Sequence, residues 1–171
     1  MKRIARMTEA NLNSEPFILF ETAGTTYGVR SRFVQQVEMI EDVASVPNAN
    51  PVVDGVVLVR GQVIPALNLR ARFGFDRVAR DLRSRLVVIN TGTRVVGLIV
   101  DTAREFLKIP EESIEPPPAA LTGLSGQYLE GIATIDGRPI LVLDLDAVID
   151  LEYEIESQFS QANKDLKMDG R

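Results

Sequence analysis

The 171-residue chain contains no cysteine, no histidine and no tryptophan. Without cysteine it has neither a disulfide framework nor a thiolate metal site, which fits a reducing compartment. Without histidine it lacks the commonest general base and the commonest metal ligand. Catalysis would have to rely on carboxylates, lysine or serine. These absences make catalysis less expected, and nothing in the composition calls for a bound metal or a cofactor.

Long apolar runs and an excess of positive charge are missing as well. No stretch approaches the ~20 apolar residues of a membrane-spanning helix, and no apolar signal-peptide core follows Met1-Lys2-Arg3. A formal net charge of −5 argues against non-specific binding to nucleic acid. We expect a cytoplasmic protein that binds no nucleic acid and does not insert into a membrane.

The chain does contain an internal duplication of apolar segments. Residues 55–69 return as 131–145, and residues 17–29 return as 86–98. Each segment has apolar β-type runs on both sides of a glycine-containing turn, which predicts a β-hairpin. Each copy therefore consists of one hairpin, a connection and a second hairpin.

The tips of the second hairpins differ between the copies. Asp136-Gly137 is typical of a type I′ turn, in which both central residues need a positive φ. The repeat predicts the same turn at Arg60-Gly61, although a positive φ is unfavourable for arginine. Arg60 is either an indifferent exposed turn residue or a guanidinium group offered to a partner's carboxylate or carbonyl oxygens.

The duplicated unit predicts a mainly β fold with few short helices. Two small antiparallel barrels or curled sheets would pack on a shared hydrophobic core, because neither copy alone makes a generous one. The expected divisions are a flexible arm at 1–15, one domain at 16–151 (repeat one at about 16–75, a linker at 76–85, repeat two at about 86–151) and a helix or disordered tail at 152–171.

Three short helical segments are expected within the domain. Leu69 to Phe73 closes the first copy before Gly74, and Ala147 to Leu151 is its counterpart in the second copy. One helical turn within residues 30–36 would place Val34 and Val37 on a shared face.

Carboxylates are the remaining candidates for chemistry. Asp144 and Asp146 lie two residues apart and could share one face of an extended segment, and Asp101 is a third candidate. They are either solvated surface charges or the acid–base groups of a carboxylate-dependent hydrolase. The hydrolase hypothesis requires that these carboxylates meet in one cleft.

A series of motifs between residues 16 and 151 carries a family resemblance. The motifs are Phe17-Ile18-Leu19-Phe20, Tyr27-Gly28-Val29, Arg60-Gly61-Gln62-Val63-Ile64-Pro65, Leu69-Arg70-Ala71-Arg72-Phe73-Gly74, Val95-Val96-Gly97-Leu98-Ile99-Val100-Asp101, Ile114-Glu115-Pro116-Pro117-Pro118, Tyr128-Leu129-Glu130-Gly131 and Asp144-Leu145. Their order and spacing resemble the CheW family of chemotaxis adaptors.

The resemblance implies two SH3-like five-stranded β-barrel subdomains on a shared core, and no catalysis. It implies a scaffold that couples the cytoplasmic tip of chemoreceptors to a CheA-like histidine kinase in membrane receptor arrays. Other CheW-like domains are further expected partners. An array-capping or pilus-type paralogue with altered receptor or kinase binding is the alternative.

The resemblance also implies two sets of contact residues. The receptor groove would be formed by Val34, Gln36, Val37, Leu58, Arg60 and Gly61, and the kinase-binding barrel surface by Leu98, Val100, Phe106 and Ile135. Three positions depart from the family pattern: Leu58-Val59 replaces Asn-Leu, Asn68 replaces an aspartate, and Gln36 replaces a glutamate.

Overall fold

The computed structural model describes residues 14–121 and 126–151. The predicted tail at 152–171 and most of the predicted arm at 1–15 lie outside these residues. The arm was expected to extend to residue 15, but the first strand already begins at Ser14, because Ser14 and Glu15 pair with Pro110 and Ile109.

The described residues form eleven strands, two short α-helices and four 3₁₀ turns. The strands are β1 (Ser14–Thr22), β2 (Thr25–Arg30), β3 (Val34–Met39), β4 (Val53–Val59), β5 (Gln62–Asn68), β6 (Arg85–Asn90), β7 (Val95–Val100), β8 (Thr102–Pro110), β9 (Ile114–Glu115), β10 (Leu129–Ile135) and β11 (Arg138–Leu143). The helices are α1 (Leu69–Arg72) and α2 (Leu145–Ile149). The 3₁₀ turns are Ser31–Phe33, Glu111–Ser113, Ala119–Leu121 and Gly126–Tyr128.

The strands form two sheets, which confirms the mainly β prediction. One sheet has six strands in the order β8-β1-β2-β11-β10-β9, and the other has five in the order β3-β6-β7-β5-β4. Each sheet therefore combines the first hairpin of one copy with the later strands of the other copy. The two sheets do not coincide with the two sequence repeats.

Two parallel strand pairs hold the exchanged hairpins in place. β2 of the first copy runs parallel to β11 of the second copy, with Gly28 beside Val142, and β7 runs parallel to β5, with Gly97 beside Ala66. β2 and β7 are equivalent strands of the two copies, and so are β11 and β5, so the two parallel pairs are equivalent contacts. The expectation of purely antiparallel sheets is wrong at these two pairs, in which the last strand of one copy runs beside the second strand of the other. The remaining pairs between copies, β1–β8 and β3–β6, are antiparallel.

A central core lies between the sheets, as the sequence predicted. It contains Val29 of the six-stranded sheet and Val87 of the five-stranded sheet, both fully buried. Four aromatic rings cross this core in sequence, with neighbouring centroids 5.0 to 6.0 Å apart: Phe20, Tyr27, Phe73 and Tyr128. Offset and tilted ring contacts of this kind add to the area that the rings bury.

The repeated glycine at Gly55 and Gly131 is explained by a close approach of two strands. A Cβ atom built on Gly55 would lie 2.1 Å from the carbonyl oxygen of Ala44, and one on Gly131 would lie 2.7 Å from the carbonyl oxygen of Glu115. Only glycine allows the backbone segments to approach so closely.

Both second-hairpin tips have the predicted conformation. The φ angles are 48° at Arg60 and 77° at Gly61, and 51° at Asp136 and 75° at Gly137. These four positive values satisfy the type I′ requirement at both tips.

Two of the expected helical segments lie elsewhere. The helical turn predicted over residues 30–36 is limited to Ser31–Phe33, because β3 begins at Val34 and pairs with β6. The second closing helix starts two residues before the predicted Ala147, because the side chain of Asp144 accepts a hydrogen bond from the backbone amide of Ala147 and caps the helix there.

Candidate functional site

A groove of about 620 Å³ lies between the two edge strands of the five-stranded sheet. β3 and β4 are the outermost strands of that sheet and form its walls. We call it the β3–β4 groove. Its lining residues are Gln36, Glu38, Met39, Ile40, Glu41, Asp42, Val57, Leu58, Val59, Arg60 and Leu86.

Arg60 lies at one end of the β3–β4 groove, at the tip of the β4–β5 hairpin. Its side chain is exposed, and within the described residues the guanidinium group forms no ion pair. At the equivalent tip of the β10–β11 hairpin the residue is Asp136. The groove therefore carries an available forked hydrogen-bond donor where the second copy carries an acceptor.

Exposed apolar side chains lie on the same hairpin as Arg60 and on the opposite wall of the groove. Leu58 of β4 pairs directly with Val63 of β5, and 70% and 64% of their surfaces are exposed. Met39 of β3, on the opposite wall, is 54% exposed. Exposed apolar residues grouped in this way are typical of a protein-binding surface.

Acidic side chains complete the groove. Glu38, Glu41 and Asp42 line its β3 side, and Gln36 donates a hydrogen bond of 2.5 Å to the carboxylate of Glu38. Gln36 and Glu38 lie two residues apart on β3, after the register shift between Val34 and Gln36, and their side chains therefore bind each other on one face of the strand. These carboxylates and Met39 were not identified from the sequence, because their exposure depends on β3 being an edge strand. Val63 was not identified either, because its exposure depends on β5 pairing with β7 only at Ala66–Asn68.

The structure brings together part of the predicted receptor-binding set. Gln36, Leu58 and Arg60 line the same groove, and Gly61 adjoins Arg60 in the turn. Val34 does not join them: it is half-buried and packs against the central core.

Val37 lies beside the groove on β3 and is 39% exposed. A register shift between Val34 and Gln36 places Val34 opposite Ile89 and Val37 opposite Val87. Since Val87 and Ile89 lie two residues apart on β6, the bulge puts both valines on one side of β3. They share a face of a strand and not of a helix.

Two of the predicted kinase-contact residues are not on the surface. Leu98 and Val100 are 0% and 1% exposed. β7 lies in the middle of its sheet, between β6 and β5, and these two side chains belong to the central core. Their assignment to an exposed barrel surface is wrong.

The other two predicted kinase-contact residues have some exposed surface. Phe106 lies on the edge strand β8 and is 63% exposed. Ile135 is half-buried at the end of β10 and packs against a small core formed by residues such as Phe17 and Ile109. The assignment of Phe106 and Ile135 to the kinase-binding surface stays a prediction.

Asn68, one of the departures from the family pattern, has a structural role. Its side-chain oxygen accepts a hydrogen bond of 3.1 Å from the backbone amide of Ala71 and caps α1, as Asp144 caps α2. Its side-chain amide donates a 2.9 Å hydrogen bond to Asp54. Asn68 is only 7% exposed, so it adds little to any contact surface. Asparagine at this position caps the helix and also donates a hydrogen bond to Asp54, which an ionised aspartate could not do.

Asp101, a candidate in the hydrolase hypothesis, is held by Arg70. The guanidinium group of Arg70 donates to both carboxylate oxygens, with Nη2 2.6 Å from Oδ2, and the backbone amide of Ala23 donates to the same carboxylate at 2.9 Å. The hydrogen bonds from Arg70 hold the pKa of Asp101 below its ordinary value, against the opposing effect of burial. Asp101 is therefore an ionised structural anion.

The three candidate carboxylates do not meet in one cleft. Asp144 and Asp146 line a cavity of about 380 Å³ at the start of α2. Asp101 lines a separate cavity of about 190 Å³ together with Arg70. Within the described residues, no group of three or more acidic side chains is placed to hold a metal ion. The geometry that the hydrolase hypothesis requires is absent.

The larger of these two cavities contains a buried arginine network. Arg30 is 8% exposed and binds three glutamates: Glu15, at 2.5 Å, Glu111 and Glu130. Its guanidinium carbon also lies 5.1 Å from the ring centre of Phe17. Burial lowers the pKa of Arg30, but the hydrogen bonds to the glutamates outweigh it and raise the pKa above the usual value. Arg30 joins β1, β2 and β10 to the turn after β8.

In the described residues no helix has the length and apolar content that crossing a membrane requires.

Comparison with known proteins identifies the family of this chain. The CheW-like domain family matches residues 16–152. Chemotaxis protein CheW of Klebsiella aerogenes is 28% identical over 138 residues, which cover 81% of this chain and 83% of that protein. Chemotaxis protein CheW of Thermotoga maritima is 32% identical over 123 residues, or 68% of this chain and 78% of that protein.

A relative outside the proteins named CheW and one solved structure agree with this result. Protein FrzA of Myxococcus xanthus is 28% identical over 124 residues, covering 72% of this chain and 77% of its own length. The crystal structure of the scaffolding protein TtCheW from Thermoanaerobacter tengcongensis superposes with a TM-score of 0.74 at 29% identity. That superposition covers 80% of this chain and 93% of that one.

Proposed function

The chain belongs to the CheW-like domain family, and from this membership we propose that it is a non-catalytic adaptor of bacterial chemosensory signalling. It couples the cytoplasmic tip of chemoreceptors to a CheA-type histidine kinase. Several curated relatives are named chemotaxis proteins, and the similar solved structure is named a scaffolding protein. The separation of Asp101 from Asp144 and Asp146 leaves the hydrolase alternative without structural support.

The observation that carries the receptor half of this proposal is Arg60 at the end of the β3–β4 groove, which forms no ion pair with the described residues. A buried arginine in this protein is heavily paired: Arg30 has three carboxylate partners. Arg60 instead projects from a turn position that is unfavourable for arginine. A binding partner on another protein would explain both the unfavourable backbone conformation of Arg60 and the absence of an ion pair with the described residues.

The chemistry of the groove specifies what a receptor segment must offer. A carboxylate or a pair of backbone carbonyl oxygens would accept from Arg60, and an apolar side chain would cover Leu58 and Met39. A basic residue would be favoured next to Glu41 and Asp42. A helical receptor tip fits these requirements if one of its faces carries the hydrogen-bond acceptor, the apolar side chain and the basic residue.

The kinase half of the proposal uses the six-stranded sheet. Phe106 is the exposed aromatic residue on edge strand β8, and Ile135 lies at the end of β10. Large exposed aromatic residues are common anchors of protein interfaces. Other CheW-like domains are candidate partners for the same sheet, because the kinase and the adaptor carry homologous domains.

One observation favours a paralogue with altered receptor preference. Leu58 is 70% exposed at the position where the family usually has asparagine before the Leu-Arg-Gly sequence. An exposed leucine there selects an apolar receptor side chain rather than a polar one. A pilus-type or another specialised chemosensory pathway is the candidate setting for such a receptor.

Co-sedimentation of the full-length chain with membranes that contain a chemoreceptor, with and without the kinase, tests the proposal. We expect the chain to sediment with receptor membranes and to increase the amount of kinase recovered with them. Absence of binding to both proteins would exclude the adaptor function. Binding of the receptor without recruitment or activation of the kinase would instead establish the array-capping alternative.

A further inference from the structure

The connector between the two copies exposes apolar side chains that the described residues leave uncovered. The connector, residues 75–85, runs from the end of α1 into the first residue of β6. Phe75, Val78 and Leu82 are 43%, 54% and 82% exposed, and Leu82 is the most exposed large apolar residue in the described part of the chain.

The same connector is basic within an acidic protein. It contains the four arginines 77, 80, 83 and 85 against two aspartates, whereas the whole chain has a net charge of −5. A surface that is both apolar and positive selects a segment that is both apolar and negative.

The described chain ends next to this connector. The side-chain amide of Asn50 lies 3.4 Å from the carbonyl oxygen of Leu151, and the adjacent carbonyl oxygen of Pro51 accepts a hydrogen bond from the guanidinium group of Arg77. Arg77 and Arg80 also reach the carboxylate of Asp54, at 3.0 and 3.8 Å. Residue 152 therefore follows directly from a position beside the arginines of the connector.

The segment that follows has the complementary composition. Residues 152–159 contain three glutamates, at 152, 154 and 156, no basic residue, and the apolar residues Tyr153, Ile155 and Phe159. Eight residues can extend over roughly 26 Å, which is long enough to follow a connector of this size. The acidic residues alternate with Tyr153 and Ile155.

We propose that residues 152–159 of this chain bind the connector, with their glutamates against its arginines and their apolar side chains over Val78 and Leu82. The segment then covers Leu82, the most exposed large apolar residue of the described part of the chain, and fixes the junction between the two copies. This inference is independent of the proposed adaptor function, since it concerns a contact within one chain.

Because the chain has no cysteine, disulfide trapping can test this contact without interference from native thiols. Ala79→Cys in the connector and Ser157→Cys in the segment leave every apolar and charged residue of the proposed contact in place. The control pair combines Ser157→Cys with Thr93→Cys. Thr93 is exposed, and its neighbour Arg94 lies 3.5 Å from the carbonyl oxygen of Ile149, so it is also close to the end of α2.

Under mild oxidation, the connector pair should form a disulfide within one chain, and the control pair should form much less. Changing Glu152, Glu154 and Glu156 to glutamine should lower the yield of the connector pair by roughly fivefold or more, because charge-assisted contacts are lost. Asp165→Asn with Asp169→Asn, further along the chain, should leave it unchanged.

Equal yields from the two cysteine pairs would overturn the proposal, because the segment would then have no preference for the connector. Insensitivity to the three glutamine substitutions would also overturn it. Disulfides that join two chains would show that the connector binds a second copy instead, which non-reducing electrophoresis distinguishes from an internal link.

Discussion

Arg60 and Asp136 occupy equivalent positions in the two copies and share one left-handed backbone conformation, with φ angles of 48° and 51°. Aspartate tolerates this conformation better than arginine does. The two hairpin tips thus have the same backbone but opposite charge. The backbone conformation of this turn therefore does not require an arginine at position 60.

Arg60→Asn should make the protein slightly more stable while weakening receptor binding. Asparagine is more favourable in the left-handed region, so we expect a gain of roughly 0.5 kcal/mol in the free energy of unfolding. Urea denaturation followed by circular dichroism measures this change. A clear loss of stability would mean that Arg60 supports the fold.

Gly61→Val should destabilise the protein by ~1–3 kcal/mol because a β-branched residue is strained at a φ of 77°. A Cβ atom at Gly61 would have no atom within 4 Å, so the cost comes from the backbone alone. Gly61→Ala should therefore also destabilise, but less. An unchanged melting temperature for the valine variant would show that the turn can adopt another conformation.

The pair Asn68 and Asp54 should behave as one unit. Asn68→Asp would place two carboxylates where the amide now donates to Asp54 at 2.9 Å. We expect the free energy of unfolding to fall by roughly 1–2 kcal/mol, because two facing carboxylates have no hydrogen to form the bond that the amide of Asn68 now donates. Arg77 and Arg80 moderate the loss by attracting both carboxylates.

Asp54→Asn combined with Asn68→Asp restores one donor and one acceptor and tests this explanation. The double variant should recover most of the stability lost in Asn68→Asp, with the interaction quantified by a double-mutant cycle. Additive losses in the double variant would contradict a direct interaction between the two side chains.

Asp101 should contribute to the pH dependence of stability. Its pKa in the folded protein lies below the unfolded value because Arg70 donates hydrogen bonds to the carboxylate. The stabilisation is therefore complete above the unfolded pKa of about 3.9 and declines as the pH falls towards the folded pKa.

Asp101→Asn removes this titration. The difference in unfolding free energy between the native protein and the variant should be largest at neutral pH and should shrink below about pH 4. Urea denaturation at a series of pH values measures it. A difference that stays constant down to about pH 2.5, well below the unfolded pKa of an aspartate, would contradict the assigned role.

The local features of this fold could be predicted from the sequence, whereas the pairing between copies could not. Asp136-Gly137 and the repeat were enough to identify both type I′ tips, because turn conformation is a local property. The exchange of hairpins depends on β2 pairing with β11 and β7 with β5. Apolar strands of similar composition could pair equally well within one copy, so periodicity cannot distinguish the two arrangements.

The same limit explains which site residues were placed correctly. Leu98 and Leu58 both lie in apolar strands, but β7 is central and β4 is an edge strand. β7 is buried on both faces, so Leu98 is fully buried, whereas Leu58 lies on the exposed face of β4 between the buried Val57 and Val59. Arg60 was recognisable because arginine is unfavourable at that position of the turn.

The affinity of the Arg60→Glu variant for a chemoreceptor tip fragment, measured by titration calorimetry, tests the adaptor account most directly. Asp136→Lys reverses the charge at the equivalent tip and is the matched control. We expect Arg60→Glu to weaken binding by roughly tenfold or more, as for an interface arginine that anchors a partner, with little effect from Asp136→Lys. Unchanged affinity in Arg60→Glu, with binding of the native chain intact, would contradict the role of the β3–β4 groove.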